Sequence, residues 1–276
     1  MVSPSARTSV LPRALRGAEV TLVCAIVLVP VAWMAASSLK HSYEVTRYPP
    51  VLWFTPTLQN FRGLFTAVPF FDYFLNSVVV TFGSTVLGLL LAVPAAFAIS
   101  WHRTAWPATL VLFTRMAPGT LFVLPWFVLF TSFGLVGTHA VLILTHTVVT
   151  MPLILWVLLP HFDAVPRSLF ESAFIDGCRQ LGCLWRVAVP LVVPGITVAS
   201  ILAAIASWNF FLFALVLGSI DTKTLIVLSF NFVGEGSTDW GRLMAAAVII
   251  SAPPILMIFA AARGLIGGLT TGAVKG

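Results

Sequence analysis

"ESAFIDGCRQLG" (residues 171–182) is a short polar segment set between long runs that are nearly free of charge. Glu171, Asp176 and Arg179 fall within nine residues around Gly177, yet Phe170, Phe174 and Ile175 stand among them. What those aromatics face depends on what the rest of the chain is. The protein has 276 residues, of which 59% are hydrophobic and 9% charged, with a mean hydropathy of +1.03. A soluble domain carries about 25% charged residues. Too little polar surface is available to cover a water-soluble globule, and no segment has the composition of a soluble domain. The sequence therefore reads as an all-α, polytopic membrane protein.

The net charge of +6 follows from basic residues retained in cytosolic loops; there is no basic cluster or motif of a nucleic-acid binder. Cys24, Cys178 and Cys183 form no disulfide framework and have too few companions for a metal site, so no metal is expected. The apolar run Val20 to Ala36, preceded by Arg7, Arg13 and Arg16, is longer than the apolar region of about 7–15 residues in a signal peptide. It reads as a retained first span.

Charge-free runs measure the remaining spans, since a bilayer core takes about 20 apolar residues of helix. The second span covers roughly Phe74 to Trp101, with Pro94 inside it. No formal charge lies between Arg115 and Asp163. As one helix that run would reach about 70 Å, so it must fold back, and "FGLVGTH" (133–139) supplies the break. Span three then runs Trp106 to Phe133 and span four His139 to Pro160. Pro190, Pro194 and Gly195 suggest an interfacial lead-in before span five, Gly195 to Leu217. Span six is Leu243 to Ala262, disturbed by "APP" (252–254).

Six spans place both termini on one side. That side collects Arg7, Arg13, Arg16, Arg103, Arg167, Arg179, Arg186, Arg263 and Lys275; the other has Lys40, Arg47, Arg62, Lys223 and Arg242. The excess predicts cytosolic termini. The organisation is a cytosolic N-terminus (1–19), a single six-span domain (20–264) and a cytosolic tail (265–276). The outer segments 41–73 and 219–241 are rich in aromatics, and "VLWFTPTLQNFRGLF" (51–65) predicts a surface-lying amphipathic helix.

On this topology residues 161–186 form the largest cytosolic loop. Ser168 and Glu171 have the spacing of a capping box and Gly177 that of a C-terminal stop, predicting a helix over 169–176, followed by a second over 178–185. Phe170 and Phe174, four apart, share a face. An aromatic face on such a loop lies against the membrane surface, the protein's own bundle, or another protein.

"ESAFIDGCRQLGCLWRVAVPLVVPGI" (171–196) resembles the coupling loop of ABC-importer permeases, whose pattern E-A-A-x-x-D-G-A is followed by a proline pair. Glu171, Ala173, Asp176, Gly177, Pro190 and Pro194 match it; Ser172 and Cys178 stand where alanine is usual. "TLQNFRGLF" (57–65), "YFLNSVVVTF" (73–82), "SWNFFLFAL" (207–215), "DWGRLMAAAVIISAPPILMIF" (239–259) and "GLTTGAVKG" (268–276) extend the likeness to the carbohydrate-type, MalG-like subunits. The resemblance implies the type I importer fold, six spans with a coupling helix between spans four and five. It implies a non-catalytic membrane subunit that forms half of a pore with a second, MalF-like permease. It also implies two ATP-binding subunits docked inside and an extracytoplasmic solute-binding protein docked outside. By the resemblance Phe170, Phe174 and their neighbours fill a cleft on the ATPase. Glu171 and Asp176 hold the helix, Gly177 allows the turn, and Ser172, Ala173 and Cys178 supply close packing. The chain has no G-x-x-x-x-G-K-[ST] loop, so ATP and Mg²⁺ are expected on the partner, and no cofactor on this chain.

The solute is expected to be a sugar or a sugar-like compound, with a polyol phosphate such as glycerol 3-phosphate as the alternative. Arg115, about 14 Å into span three from its cytosolic end, is a charge at membrane depth and a functional candidate by default, although bonds to free carbonyls near Pro118 or snorkelling along a partner subunit also account for it. Trp208 and Asn209 pair a ring with an amide, as sugar sites do, although interhelical bonding also accounts for Asn209. His139 and His146 lie seven apart without an acidic companion. A secondary transporter would show intramembrane carboxylates or broken helices in repeated halves. An intramembrane enzyme would need a catalytic group at depth. The sequence displays neither.

Overall fold

The structure, a computed structural model, describes residues 13–233 and 238–272, with side chains over 17–233 and 238–260. Arg7 and Lys275, counted above for orientation, lie outside the described residues, as do 234–237 and the side chains of Arg13, Arg16 and Arg263. The elements used below are α1 (Arg13–Ser38), α2 (Gln59–Ala67), α3 (Phe70–His102), α4 (Trp106–Met116), α5 (Thr120–Ser132), α6 (His139–Asp163), α7 (Arg167–Ile175), α8 (Gln180–Trp208), α9 (Leu212–Leu217) and α10 (Trp240–Gly272). Among the described residues there is helix and loop, with a single isolated bridge, Val233 to Thr238, in place of any strand.

Among the described residues five helices are long and apolar enough to cross a bilayer: α1, α3, α6, α8 and α10. The pair α4 and α5 makes a sixth span only as a bent one. The expectation of one continuous third span is thus corrected. The two halves meet at 94° because Pro118 has no N–H to continue the ladder. Proline also drives the residue before it out of the helical region, and Ala117 is extended, with ψ 125°. The break at 133–139 is present as expected, with Gly134 and Gly137 at φ +66° and +83°.

Span five is corrected too. No interfacial lead-in precedes it, and the predicted helix over 178–185 is not separate. Both are one helix, α8, which starts at Gln180 and ends at Trp208. It passes its prolines through a widened turn at Leu184–Ala188, where the Val189 N–H reaches back five residues to the Leu184 carbonyl. Such a turn absorbs the bond that Pro190 cannot make. The segment beyond Asn209, expected in the same span, is the separate short helix α9.

The centre of the bundle is α3 against α6, with α8 packed across both. Small residues allow the backbones to approach, the usual device where lipid gives no hydrophobic drive between helices. Ala92 and Ala96 of α3, Ala199 and Ala203 of α8, and Ile154, Leu155 and Leu158 of α6 are fully buried together. At Gly88 an added Cβ would stand 2.9 Å from both Ile154 Cδ1 and Thr150 Oγ1. Polar groups lock the same contact. The hydroxyls of Ser84 and Ser207 lie 2.8 Å apart, His146 Nδ1 is 3.0 Å from Ser207 Oγ, and Thr150 donates to the Ser84 carbonyl at 3.0 Å.

The outer segments are tied down by side-chain amides. α2 forms as the amphipathic pattern predicts, with Asn60 and Leu64 on its buried side. The Asn60 amide donates to the carbonyls of Ser38 and Lys40 at 2.8 and 2.7 Å, closing the end of α1. The Lys40 ammonium lies over the Trp33 ring at 4.3 Å, a contact that favours a partly desolvated cation. Asn76, at the outer end of α3, donates to the carbonyls of Asp221 and Lys223 and accepts from His139 Nε2.

Filling the α3–α6 contact has a predictable effect. Gly88→Leu overpacks against Ile154 and Thr150 and should lower stability by about 1–3 kcal/mol, read as thermal unfolding in detergent. Val86→Leu, on the exposed side of the same helix, should leave the transition in place.

Candidate functional site

The polar loop forms one short helix, α7, and its construction differs from the expected one at the start. The Ser168–Glu171 capping box does not form. The helix begins at Arg167 directly after Pro166, whose ψ of 130° holds the entering chain extended. Ser168 already lies inside the first turn, where its carbonyl accepts from the Ser172 hydroxyl. The start is instead held by Arg167, whose guanidinium donates to the Trp101 carbonyl at 2.9 Å and lies over the Trp101 ring. The end is as predicted. Gly177 takes φ +83°, its N–H donates to the Phe174 carbonyl, and the Cys178 N–H donates to the Ala173 carbonyl. These two bonds are the Schellman closure, in which the left-handed residue is nearly always glycine. Cys178 is half-buried, with its Sγ against Gly182.

The largest correction concerns direction. Phe170 is only 5% exposed. Its ring meets Phe97 and Trp101 edge-on at 5.7 and 5.8 Å, and Phe174 meets Trp101 at 5.3 Å. Ala173 is buried beside them. The aromatic face thus turns onto the protein's own bundle rather than outward into a partner's cleft. The free face carries Leu169, Glu171, Ser172, Ile175 and Asp176, with Ile175 86% exposed. The carboxylates of Glu171 and Asp176 have no hydrogen bond or ion pair among the described residues.

The solute-path candidates separate. Trp208 is 4% exposed, donates from Nε1 to the Ile250 carbonyl at 3.0 Å and packs on Phe74. It joins α8 to α10 and is not open to a solute. Asn209 is exposed, and its amide donates to the Ile205 carbonyl at 2.9 Å, capping the end of α8. Arg115 is exposed in the last turn of α4; among the described residues its guanidinium has no hydrogen-bond or ion-pair partner.

The structure brings the two breaks together. The Gly119 position is within 3.7–3.8 Å of Leu212, Phe213 and Phe210, so the interruption of span three lies on that of span five. Phe210 in turn meets the His146 ring edge-on. His139 and His146 take separate partners, Asn76 and Ser207, and no group of three possible metal ligands is found among the described residues. Sequence reasoning did not single out Ser84, Ser207 or Arg167. Polar serines inside charge-free runs were the available signal for the first two.

Two substitutions on α7 separate its faces. Phe170→Ala should cost about 3–5 kcal/mol, as a buried aromatic truncation does. Ile175→Ala should change stability by less than about 0.5 kcal/mol, as an exposed position does. Thermal unfolding of the purified chain checks both.

With this geometry in view, comparison with known proteins gives consistent matches. Residues 84–267 match the family model described as binding-protein-dependent transport system inner membrane component. The chain is similar to a probable ABC transporter permease protein, y4oR, of Sinorhizobium fredii, with 34% identity over 91% of each chain. It is also similar to the sulfoquinovosyl glycerol transport system permease protein SmoH of Agrobacterium fabrum, at 33% identity over 90% of this chain and 89% of that one. Among solved structures, a chain of a bacterial ABC transporter involved in the import of the acidic polysaccharide alginate superposes with a TM-score of 0.76. It is 18% identical and the match covers 92% of this chain and 98% of that one, a likeness of fold.

Proposed function

Since the chain belongs to the family of binding-protein-dependent transport system inner membrane components, we propose that it forms half the pore of an ATP-driven importer for a sugar or sugar-like solute. In this reading a second, MalF-like permease completes the pore and a solute-binding protein delivers cargo to the outer segments. Two ATP-binding subunits, which hold ATP and Mg²⁺ and do the hydrolysis, engage α7 from the cytosol. Both termini and the loop 161–186 then face the cytosol. The domain plan of a short N-terminus (1–19), one permease domain (20–264) and a tail (265–276) is kept.

The observation that carries the reading is the seating of α7. A coupling element must move as one body with the spans it drives. Phe170 and Phe174 clamp α7 onto Trp101 and Phe97 of α3, while Arg167 bonds the same span. What is left free is a face with an exposed Ile175 and unpaired Glu171 and Asp176. That face supports ATPase docking: an apolar knob for a cleft, flanked by carboxylates for its basic rim. Gly177 and Cys178 shape the turn, while Ser172 lies on the docking face as a small residue. Closure of the ATPase dimer pushes α7, and α3 moves with it.

The meeting point of the two broken spans supports a solute path there. Non-helical backbone at membrane depth is tolerated where it is buried in protein or lines a water-filled cavity. Asn209, exposed beside the break, presents its amide oxygen to such a path, and Arg115 precedes the break by two residues. The unpaired guanidinium of Arg115 favours, as a second reading, an anionic cargo such as a polyol phosphate. A thermal-shift screen of the cognate binding protein with neutral sugars and polyol phosphates separates the two.

The coupling assignment is tested on the assembled importer in proteoliposomes. Ile175→Asp and Asp176→Lys should leave the unfolding transition of the chain unchanged. Both should lower ATPase retention on co-purification and reduce solute uptake at least about tenfold, the effect of losing a hot-spot contact. Uptake at the wild-type rate in both variants would remove α7 as the coupling element.

A further inference from the structure

A second concave site lies where α3, α4 and α6 end on the side of α7. It is a cavity of about 890 Å³, with Arg103, Arg167, Ser100, Thr104 and Asp163 among the residues that line it. Arg103 is the only non-glycine with positive φ among the described residues, at +51°, and closes α3 in the left-handed conformation. A side chain there is strained where glycine is not, so closing the helix is no reason for arginine. Its guanidinium has no hydrogen-bond or ion-pair partner among the described residues. Arg167 spends one N–H on the Trp101 carbonyl and has others to give. Asp163 accepts from Ser100, which leaves the lining with two cations against one anion. A single negative charge with several acceptor oxygens balances it. Ala105, just before α4, and Ala108 and Thr109 in its first turn also line the space, and a helix start favours an anion.

The apolar walls say which anion. Trp156 and Leu159 of α6 form one side, and Trp156 is exposed. On α4, Trp106 is 70% exposed and Leu110 and Phe113 follow it as exposed apolar residues. Tryptophan is enriched at the depth of the headgroups, with aliphatic surface beyond it. A soluble phosphate has no use for that surface, whereas acyl chains do. We propose that this cavity is a binding site for an anionic phospholipid of the leaflet on the α7 side. Arg103 and Arg167 hold its phosphodiester and its chains lie along α4 and Trp156. Basic pockets between spans take lipid headgroups in this way. Because Arg167 also anchors α7, the bound lipid fills the space behind the coupling helix.

The test uses the assembled importer, delipidated in a neutral detergent and titrated with phosphatidylglycerol or phosphatidylcholine, with bound lipid counted by native mass spectrometry. One phosphatidylglycerol per chain should bind in preference to phosphatidylcholine. Arg103→Gly removes the charge while keeping the left-handed closure that glycine prefers. It should weaken phosphatidylglycerol binding about fivefold, the effect of one arginine at a membrane surface, without lowering the unfolding temperature. Arg103→Lys should restore binding. Millimolar glycerol 3-phosphate should leave the lipid in place. Equal binding of the two lipids, wild-type affinity in Arg103→Gly, or displacement by glycerol 3-phosphate would each overturn the proposal. Its failure leaves the ATPase-docking role of α7 untouched, since that role is read from Ile175 and Asp176.

Discussion

Within a bilayer core no water is present to take up a free backbone N–H or C=O, and this constraint orders most of what the chain does. Continuous helix is its simple answer, used by α1, α3, α6 and α10. Where proline prevents continuity the protein answers locally. In α8 the widened turn at Leu184–Ala188 carries the helix into Pro190. At Pro118 the helix ends outright; α8 also ends at Asn209, with no proline there, and the two interruptions are stacked, with Gly119 against Phe210, Leu212 and Phe213. The Ile205 carbonyl accepts there from both the Asn209 backbone N–H and the Asn209 side-chain amide. Broken backbone is thus gathered in one place instead of being scattered along the lipid face.

The same economy of polar groups explains the rigid centre. Ser84, Ser207, His146 and Thr150 bond across α3, α6 and α8, between layers of alanine and branched residues, with only His146 Nε2 of this group left without a partner. Such a contact has few alternative arrangements, because sliding one helix would strand a hydroxyl in an apolar surrounding. The aromatic cluster of Phe97, Trp101, Phe162, Phe170 and Phe174 continues that centre to α7. In the proposed coupling, a push on the exposed side of α7 would reach α3 through these ring contacts.

Much of this was legible in the sequence, and the exceptions share a physical cause. Charge-free runs located the spans because transfer of charge into hydrocarbon is so unfavourable. Gly177 was readable because only its left-handed conformation closes the helix there. The outer amphipathic helix followed from the pattern around Asn60 and Leu64. Hydropathy, however, does not distinguish a proline that a helix absorbs from one that breaks it. Pro190 and Pro194 read as an end and are interior; Pro118 read as interior and is an end. The difference lies in neighbouring turns and in what packs alongside. Nor does periodicity tell which side of a short helix meets which partner. Phe170 and Phe174 were placed correctly on one face, but the neighbours that claim it, Phe97 and Trp101, come from a helix about 70 residues earlier. Trp208 failed for the same reason, since its indole partner is the carbonyl of Ile250.

The exposed groups carry the last step. Asn209 and Arg115 are polar, lie at the meeting of two broken spans, and are open to the surroundings of the single chain. Facing lipid, an unpaired guanidinium and an amide oxygen at that depth would be strongly unfavourable. Facing water inside a closed pore they would be solvated. In the proposed two-permease pore the surface that holds them would gain a second wall. A partner permease closing over the breaks at Pro118 and Asn209 would supply it, turning the least favourable part of the isolated chain into the lining of a path. In that proposed assembly the breaks are where the two halves would meet.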